Sequence, residues 1–554
     1  MNLSLNEASQ TKLSDMRHHE EEQLVSILAQ KYGIPYLNLT QVAVNTDALR
    51  LVPEKLARDS EVAPFQLSGK KISVGIRTPN NQAGQAVLRD LENRGYKVVP
   101  TMVSQASLEH VWNYYKETSF AVETEAGVLD VSNDEIRALI TRLTSLAATK
   151  DAIVEVLGMK KLYRITRTLE IILAGAIANG ASDIHVEPED ASVRIRLRLD
   201  GVLVDVAHID AETYHAVLTR VKLLSGLKIN IHSAAQDGRF SVRIDDREIE
   251  IRTSVLPGGN GESIVMRLLD PRSIRNTLET LGMRPSVLEV LAVEIRKPNG
   301  MILTTGPTGS GKTTTLYAFL RQVLDPGIKI LTIEDPIEYH LEGIVQTQIN
   351  HKDYTFSTGL RSALRQDPDV IMVGEIRDEE VASTAIHAAL TGHLVFSTLH
   401  TNNAAGAYPR LIDMGIEPSM IGSAVNLVMA QRLLRTLSPE HRKEVPIEGK
   451  DKEFVDRVLA GIQDRSHIPA NTTRMWVPDV PEGDVEYKGR VGVYEIITTT
   501  REIEDAVRKK LTTRELEDIS HTQGHLSLHE DAILKVLEGV TTIAEVRRIL
   551  GESM

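Results

Sequence analysis

Residues Met301 to Thr315 read Met-Ile-Leu-Thr-Thr-Gly-Pro-Thr-Gly-Ser-Gly-Lys-Thr-Thr-Thr, an order that few folds accommodate. Met301 to Thr305 reads as a short buried strand and Thr313 to Leu320 as a helix start. The residues between them are small enough for the main chain to close around an anion. Gly306-x4-Gly311-Lys312-Thr313 has the spacing of a phosphate-binding loop. In such a loop successive N–H groups and the helix N-terminus face phosphate, and Lys312 adds a point charge. Gly306, Thr308, Gly309, Ser310, Gly311, Lys312, Thr313 and Thr314 are the candidate nucleotide-binding residues. Thr313 is the position whose hydroxyl binds Mg2+.

Downstream, apolar strands alternate with helices (Lys329 to Ile333, Val370 to Val373, Leu394 to Thr398), which predicts a parallel sheet flanked by helices. Hydrolysing a nucleotide requires a metal, an oriented water and positive charge for the transition state. Asp369-Val-Ile-Met-Val ends at Gly374-Glu375, a carboxylate at the carboxyl end of a strand, where ligands of α/β sheets sit. Glu375 is the candidate for polarising the attacking water. Glu334, Asp335 and Glu338 follow another apolar strand, and one or more of them is expected to reach Mg2+ directly or through water. Glu334 and Asp335 are assigned to the metal and Glu338 to the catalytic group. His400 ends a third strand and is read as a γ-phosphate sensor. Asn-Lys-x-Asp, His-Arg-Asp and Asp-Phe-Gly are all absent, which speaks against a guanine-specific GTPase and a protein kinase.

At 554 residues the chain exceeds one hydrophobic core, and 42% apolar with 25% charged residues is ordinary for a globular protein. Its net charge of −13 gives nucleic acid no overall attraction. With no apolar run of 18 residues and no signal-peptide core, a cytoplasmic protein without a membrane span is expected. Cysteine is absent, which excludes disulfides and thiolate metal sites.

The chain divides into an N-terminal α/β extension (1–120), a linker (121–136) rich in acidic residues, a second domain (137–273), a core around the phosphate loop (274–437) and a C-terminal part (438–554). Residues 1 to about 20 read as polar and mobile, and a helix is expected from Glu20 to Gly33. In the second domain Val193, Ile195, Leu197 and Leu199 alternate with Arg194, Arg196 and Arg198, a strand with one basic face, closed by an Asp200-Gly201 hairpin turn. That basic face reads as a solvated or subunit-facing edge rather than a nucleic-acid site. Helices are expected over Asp47 to Arg58 and Thr277 to Pro298, and a charged, loop-rich stretch from Leu437 to Gly489.

Taken together, Gly306-Pro-Thr-Gly-Ser-Gly-Lys-Thr, Ile333-Glu-Asp-Pro-Ile-Glu, Asp369-Val-Ile-Met-Val-Gly-Glu-Ile-Arg-Asp and Thr391-Gly-His-Leu-Val-Phe-Ser-Thr-Leu-His-Thr-Asn resemble the Walker A, Asp box, Walker B and His box of secretion ATPases, the GspE/PilB superfamily. Ala181-Ser-Asp-Ile-His-Val-Glu-Pro and Gln236-Asp-Gly-Arg look like its second N-terminal domain. The resemblance covers roughly Arg137 to Met554. It implies a RecA-like P-loop core preceded by a PAS-like α/β domain, with ATP and Mg2+ bound between the two. It also implies a homohexamer on the cytoplasmic face of the inner membrane that acts on a platform protein. The long N-terminal extension points to the pilus-assembly and type II secretion branches rather than the retraction branch. By motif, Arg252 and Arg267, with Arg239 a weaker candidate, match arginines that reach the nucleotide phosphates in the family. Two departures stand out. The four-cysteine zinc site of most assembly ATPases has no cysteine here, so no structural zinc is expected. The repeated Arg-Leu-Gly motif that binds cyclic di-GMP is missing from residues 16 to 35, so that ligand is not expected either. Pilus assembly is the leading function and type II secretion its closest rival. A nucleic-acid motor and a non-hydrolysing structural ring are the readings of other classes, and no direct contact with DNA is expected.

Overall fold

Every residue of Gly300–Thr305 is buried, as a strand covered on both faces requires. In the computed structural model, which describes residues 21–42, 44–49, 51–117, 122–124, 128–130, 134–159, 161–244, 247–271, 277–350, 352–480 and 486–552, it lies inside a seven-stranded sheet. The strand order is Val345–Gln348, Ile330–Glu334, Val370–Val373, Leu394–Leu399, Gly300–Thr305, Val425–Leu437 and Tyr487–Thr498. All neighbours are parallel except the last pair. The strand period of two sorts side chains between two cores. Met301 and Leu303 join one with the helices Phe356–Ala363 and Glu379–Leu390, whereas Ile302 joins the other with the helix Lys312–Val323. The phosphate loop, Glu375 and His400 therefore leave one edge of one rigid layer.

The C-terminal residues are not a separate body. Phe454, Val458, Ile533 and Val546 share the first of those cores with Met301 and Ile371. Between Leu437 and Gly489, where a loop-rich stretch is expected, the chain forms the helix Gly449–Gly461 and a hairpin of Arg442–Pro446 with Arg474–Pro478. Only Phe454, Val455, Val458 and Leu459 of that helix are buried, a stripe too thin to stand out among its charges. The hairpin is held by the Arg442 guanidinium stacked 4.5 Å from the Trp476 ring. Thr542 caps the last helix, Ile543–Leu550, by accepting from the Glu545 N–H.

The second domain is built on an eight-stranded sheet ordered Val122–Thr124, Val128–Asp130, Gln236–Ile244, Arg247–Gly258, Gly261–Leu269, Asp183–Pro188, Val193–Leu199 and Val202–Ile209. The stretch 121–136, expected as a linker, thus supplies the two outermost strands at one side of the sheet, and Val128–Asp130 pairs in parallel with Ser241 to Arg243. Three-residue strands are too short to show a period in sequence. Asp200 (φ 47°) and Gly201 (φ 87°) form the expected hairpin turn. Arg194, Arg196 and Arg198 share a face, but carboxylates on adjacent strands and turns meet each one. Arg194 donates to both oxygens of Asp205 at 2.7 Å, Arg196 pairs with Glu187 at 2.5 Å, and Arg198 lies 3.2 Å from Asp183. So neutralised, the stripe offers phosphodiesters little.

In the N-terminal module Lys71–Ile76 pairs antiparallel with Val62–Ser68 and in parallel with Lys97–Met102. Asn81 and Ser104 cap Gln82–Asn93 and Gln105–Asn113. The helix expected over Asp47 to Arg58 is two short ones, Thr46–Leu49 and Glu54–Asp59, because Pro53 cannot continue the first. Likewise only Pro285–Glu294 and a short 3-10 turn form between Thr277 and Pro298, since Gly282 adopts a left-handed φ of 81°. Residues 1–20, expected to be polar and mobile, lie outside the described residues.

Candidate active site

The loop's curvature rests on its glycines. Gly306, Gly309 and Gly311 have φ values of 149°, 80° and 90°. A Cβ at Gly306 would sit 2.6 Å from the Gln431 carbonyl oxygen and 2.9 Å from Arg432 Nη1. Lys312 opens the helix and its Nζ donates to the carbonyls of Gly306 at 2.7 Å and Pro307 at 3.1 Å. Burial pulls the Lys312 amine below its ordinary pKa, while the charge of Glu375 works against that and Arg432 with it. Ser310 Oγ is buried with no hydrogen-bond partner among the described residues, a donor left over inside the cradle. Thr308, Gly309 and Thr313 are exposed, and Thr314 is half-buried. A glycine-bent loop at a helix N-terminus, an orphaned hydroxyl and an amine fit a polyphosphate. Among the described residues no group of three or more His, Cys, Asp or Glu is placed to hold a metal. Mg2+ at a phosphate loop keeps water and phosphate oxygens and takes few protein ligands, for which the Thr313 hydroxyl and the Asp335 carboxylate are the candidates.

Glu375 and His400, carried by neighbouring strands, come together. His400 Nε2 lies 3.1 Å from Glu375 Oε2, and Arg377 Nη2 donates to Oε1. Burial raises the Glu375 carboxyl, but hydrogen bonds from Arg377 and His400 outweigh it and hold the group below the usual carboxylate range. Glu375 is therefore ionised, and one of its oxygens is shared with a cation.

The Asp box splits in two. Glu334 is 3% exposed and accepts from Thr332 Oγ1 at 2.5 Å, from Gln346 Nε2 at 3.1 Å and from the Tyr317 hydroxyl. Tyr317 belongs to the phosphate-loop helix, so Glu334 braces that helix from the core. Asp335 carries charge toward Arg377. Glu338 faces the second domain. Its carboxyl is pushed up by burial, against the charges of Arg252 and Arg267.

Arg252 spans the two domains. Its Nη2 donates to the Ile337 carbonyl at 2.6 Å, Nη1 lies 3.4 Å from Glu338, and Nε donates to Glu250 at 2.9 Å. Strand register sets Arg239 opposite Arg252 and Arg252 opposite Arg267, three guanidinium-bearing positions abreast on adjacent strands. Arg267 pairs with Asp183 at 3.0 Å and is 61% exposed, so it lies beside the Asp box without the cross-domain bonds of Arg252.

Three participants escape sequence reasoning. Arg377 pairs with Glu375, and Gln431 accepts from Thr315 Oγ1 at 2.8 Å behind the loop. Arg432 donates to the Asn402 carbonyl at 2.6 Å. The available signal is the polar pair Gln431-Arg432 between the apolar residues Leu427 to Ala430 and Leu433-Leu434.

A parallel sheet with a glycine-bent phosphate loop, a strand-end carboxylate and a partnered histidine defines a RecA-like P-loop nucleotide-binding protein. The model of the family described as "Type II/IV secretion system protein" matches residues 159–548, and the chain belongs to that family, within the GspE/PilB secretion ATPase superfamily. The MshEN domain matches residues 32–122. The type II secretion system protein E of Pseudomonas aeruginosa is 45% identical over 389 residues, 70% of this chain and 76% of that protein. The type IV pilus assembly ATPase PilB of Myxococcus xanthus is 36% identical over 534 residues, 95% of this chain and 91% of that protein. In fold, the X-ray structure of the Legionella pneumophila ATPase DotB is similar with a TM-score of 0.50 at 23% identity, covering 69% of this chain and 94% of that one. No helix among the described residues is long and apolar enough to cross a membrane.

Proposed function

We infer that the chain hydrolyses ATP and, as a homohexamer at the cytoplasmic face of the inner membrane, turns a platform protein to assemble a type IV pilus. The observation that carries hydrolysis is Glu375 at a strand end, ionised, hydrogen-bonded to His400 and in electrostatic reach of Lys312. Lys312 and the loop N–H groups bind the phosphates. Thr313 with Asp335 would hold Mg2+, supported from the core by Glu334, and that ion supplies charge neutralisation at the phosphates. Glu375 orients and polarises water. Held at low pKa, it is a weak base until Arg377 lets go of it. Arg252 and Arg267 bring positive charge from the second domain, and Glu338 fixes Arg252 at the domain boundary.

Pilus assembly is supported by likeness over nearly the whole chain to a pilus assembly ATPase. A second reading, type II secretion, is supported by higher identity to type II secretion proteins E, 45% over 70% of this chain for the Pseudomonas aeruginosa protein and 39% over 92% of it for that of Dickeya dadantii. Deleting the gene separates them. Loss of surface pili with normal enzyme export, restored by the wild-type chain and not by Lys312→Ala, supports the first. Loss of export with intact pili overturns it in favour of the second.

A further inference from the structure

Arg432 is 8% exposed and belongs to none of the motifs above. Among the described residues no carboxylate comes within ion-pair distance of its guanidinium, which donates instead to two carbonyls, Gln431 at 2.9 Å and Asn402 at 2.6 Å. Burial lowers its pKa, with only the charge of Glu495 opposing. A buried cation without a partner anion is costly to keep unless something uses it. Its surroundings show what does. On one side a Cβ at Gly306 would fall 2.9 Å from Nη1. On the other, Asn402 stands two residues beyond His400 in a segment clamped residue by residue. The Thr401 N–H donates to Thr305 Oγ1 at 2.9 Å, the Asn403 amide donates to Glu517, and the Ala404 N–H donates to Glu495 at 2.7 Å. Of these clamps, Arg432 alone places a positive charge beside Gly306.

We propose that Arg432 is a positioning residue for nucleotide hydrolysis: its planar fork ties the Asn402 carbonyl to the Gln431 carbonyl, which lies against the phosphate loop at Gly306, and so keeps His400 and Glu375 in register with a bound polyphosphate. This rests on the hydrolytic reading above. The experiment measures kcat and KM by phosphate release, and affinity with a fluorescent ATP analogue, for Arg432→Lys and Arg432→Met, each alone and combined with His400→Ala. Lysine keeps the charge but cannot span both carbonyls. Arg432→Lys is expected to lower kcat about tenfold or more with analogue affinity changed less than about threefold. In the His400→Ala background the same change is expected to cost less than about threefold, because the two act through one element. Wild-type kcat in Arg432→Lys, or an equal fold-loss in both backgrounds, overturns the proposal. If Arg432→Met fails to fold, Arg432→Lys carries the same comparison. A wild-type chain that binds the analogue but releases no phosphate defeats the hydrolytic reading and this role with it, an outcome distinct from a loss confined to the variants.

Discussion

His400 Nε2 sits 3.1 Å from Glu375 Oε2, although 24 residues separate the two and they leave different strands. Val370–Val373 and Leu394–Leu399 are in-register parallel neighbours, so their carboxyl ends reach the same edge. In the proposed mechanism, a histidine held there senses phosphate and holds Glu375 in place. His400→Ala is therefore expected to lower kcat about tenfold or more while nucleotide affinity stays within a few-fold, measured by phosphate release and analogue binding.

Arg252→Ala is expected to reduce turnover more than affinity, by about tenfold or more in kcat, because its guanidinium meets the Asp-box main chain and, in the proposed mechanism, faces the charge that develops in transfer. Arg239→Ala, at a position 78% exposed in the same row, is expected to change kcat less. Equal effects of the two would return Arg252 to an ordinary strand arginine.

The row shows where sequence stops being legible. Each arginine can be matched by motif, but that Arg239, Arg252 and Arg267 stand abreast depends on strand register, which no local pattern encodes. The phosphate loop, Glu375 and the Asp200-Gly201 turn could be read because glycine spacing and strand-end carboxylates are local signals. Arg432 could not, since its partner Asn402 is 30 residues away and its charge interrupts an apolar run with no motif to name it. The short strands Val122–Thr124 and Val128–Asp130 are hidden by brevity, and the helix Gly449–Gly461 by its many charges.

Gly306→Ala is expected to destabilise the chain by roughly 1–3 kcal/mol and to abolish nucleotide binding, because the added Cβ meets the Gln431 carbonyl at a strained φ. Urea unfolding read beside analogue binding checks both effects. Unchanged stability would mean that Val425–Leu437 yields at Gln431.

Glu545 anchors the last helix to the strand carrying Arg432. It accepts from the Arg435 N–H and side chain and from Arg548. Burial alone would raise its pKa, but those bonds win and bring it down to about 2 from an unperturbed 4.5. A carboxyl depressed on folding stabilises fully above its unfolded pKa and loses that contribution as pH falls through the folded one. The pair is expected to contribute up to roughly 3 kcal/mol at neutral pH, lost between about pH 4.5 and 2. Glu545→Gln should unfold more readily at pH 7 and show a flatter acid dependence in denaturant titrations across that window.

The most direct measurement is steady-state phosphate release and nucleotide binding by the wild-type chain and by Glu375→Gln, in ATP with Mg2+. The wild type is expected to turn over, and Glu375→Gln to bind ATP with little change in affinity while releasing phosphate about a hundredfold more slowly or less. Lys312→Ala, measured alongside, is expected to lose binding outright. Hydrolysis by Glu375→Gln at the wild-type rate would contradict the assignment of that carboxylate and, with it, the chemistry built on the Glu375–His400 pair.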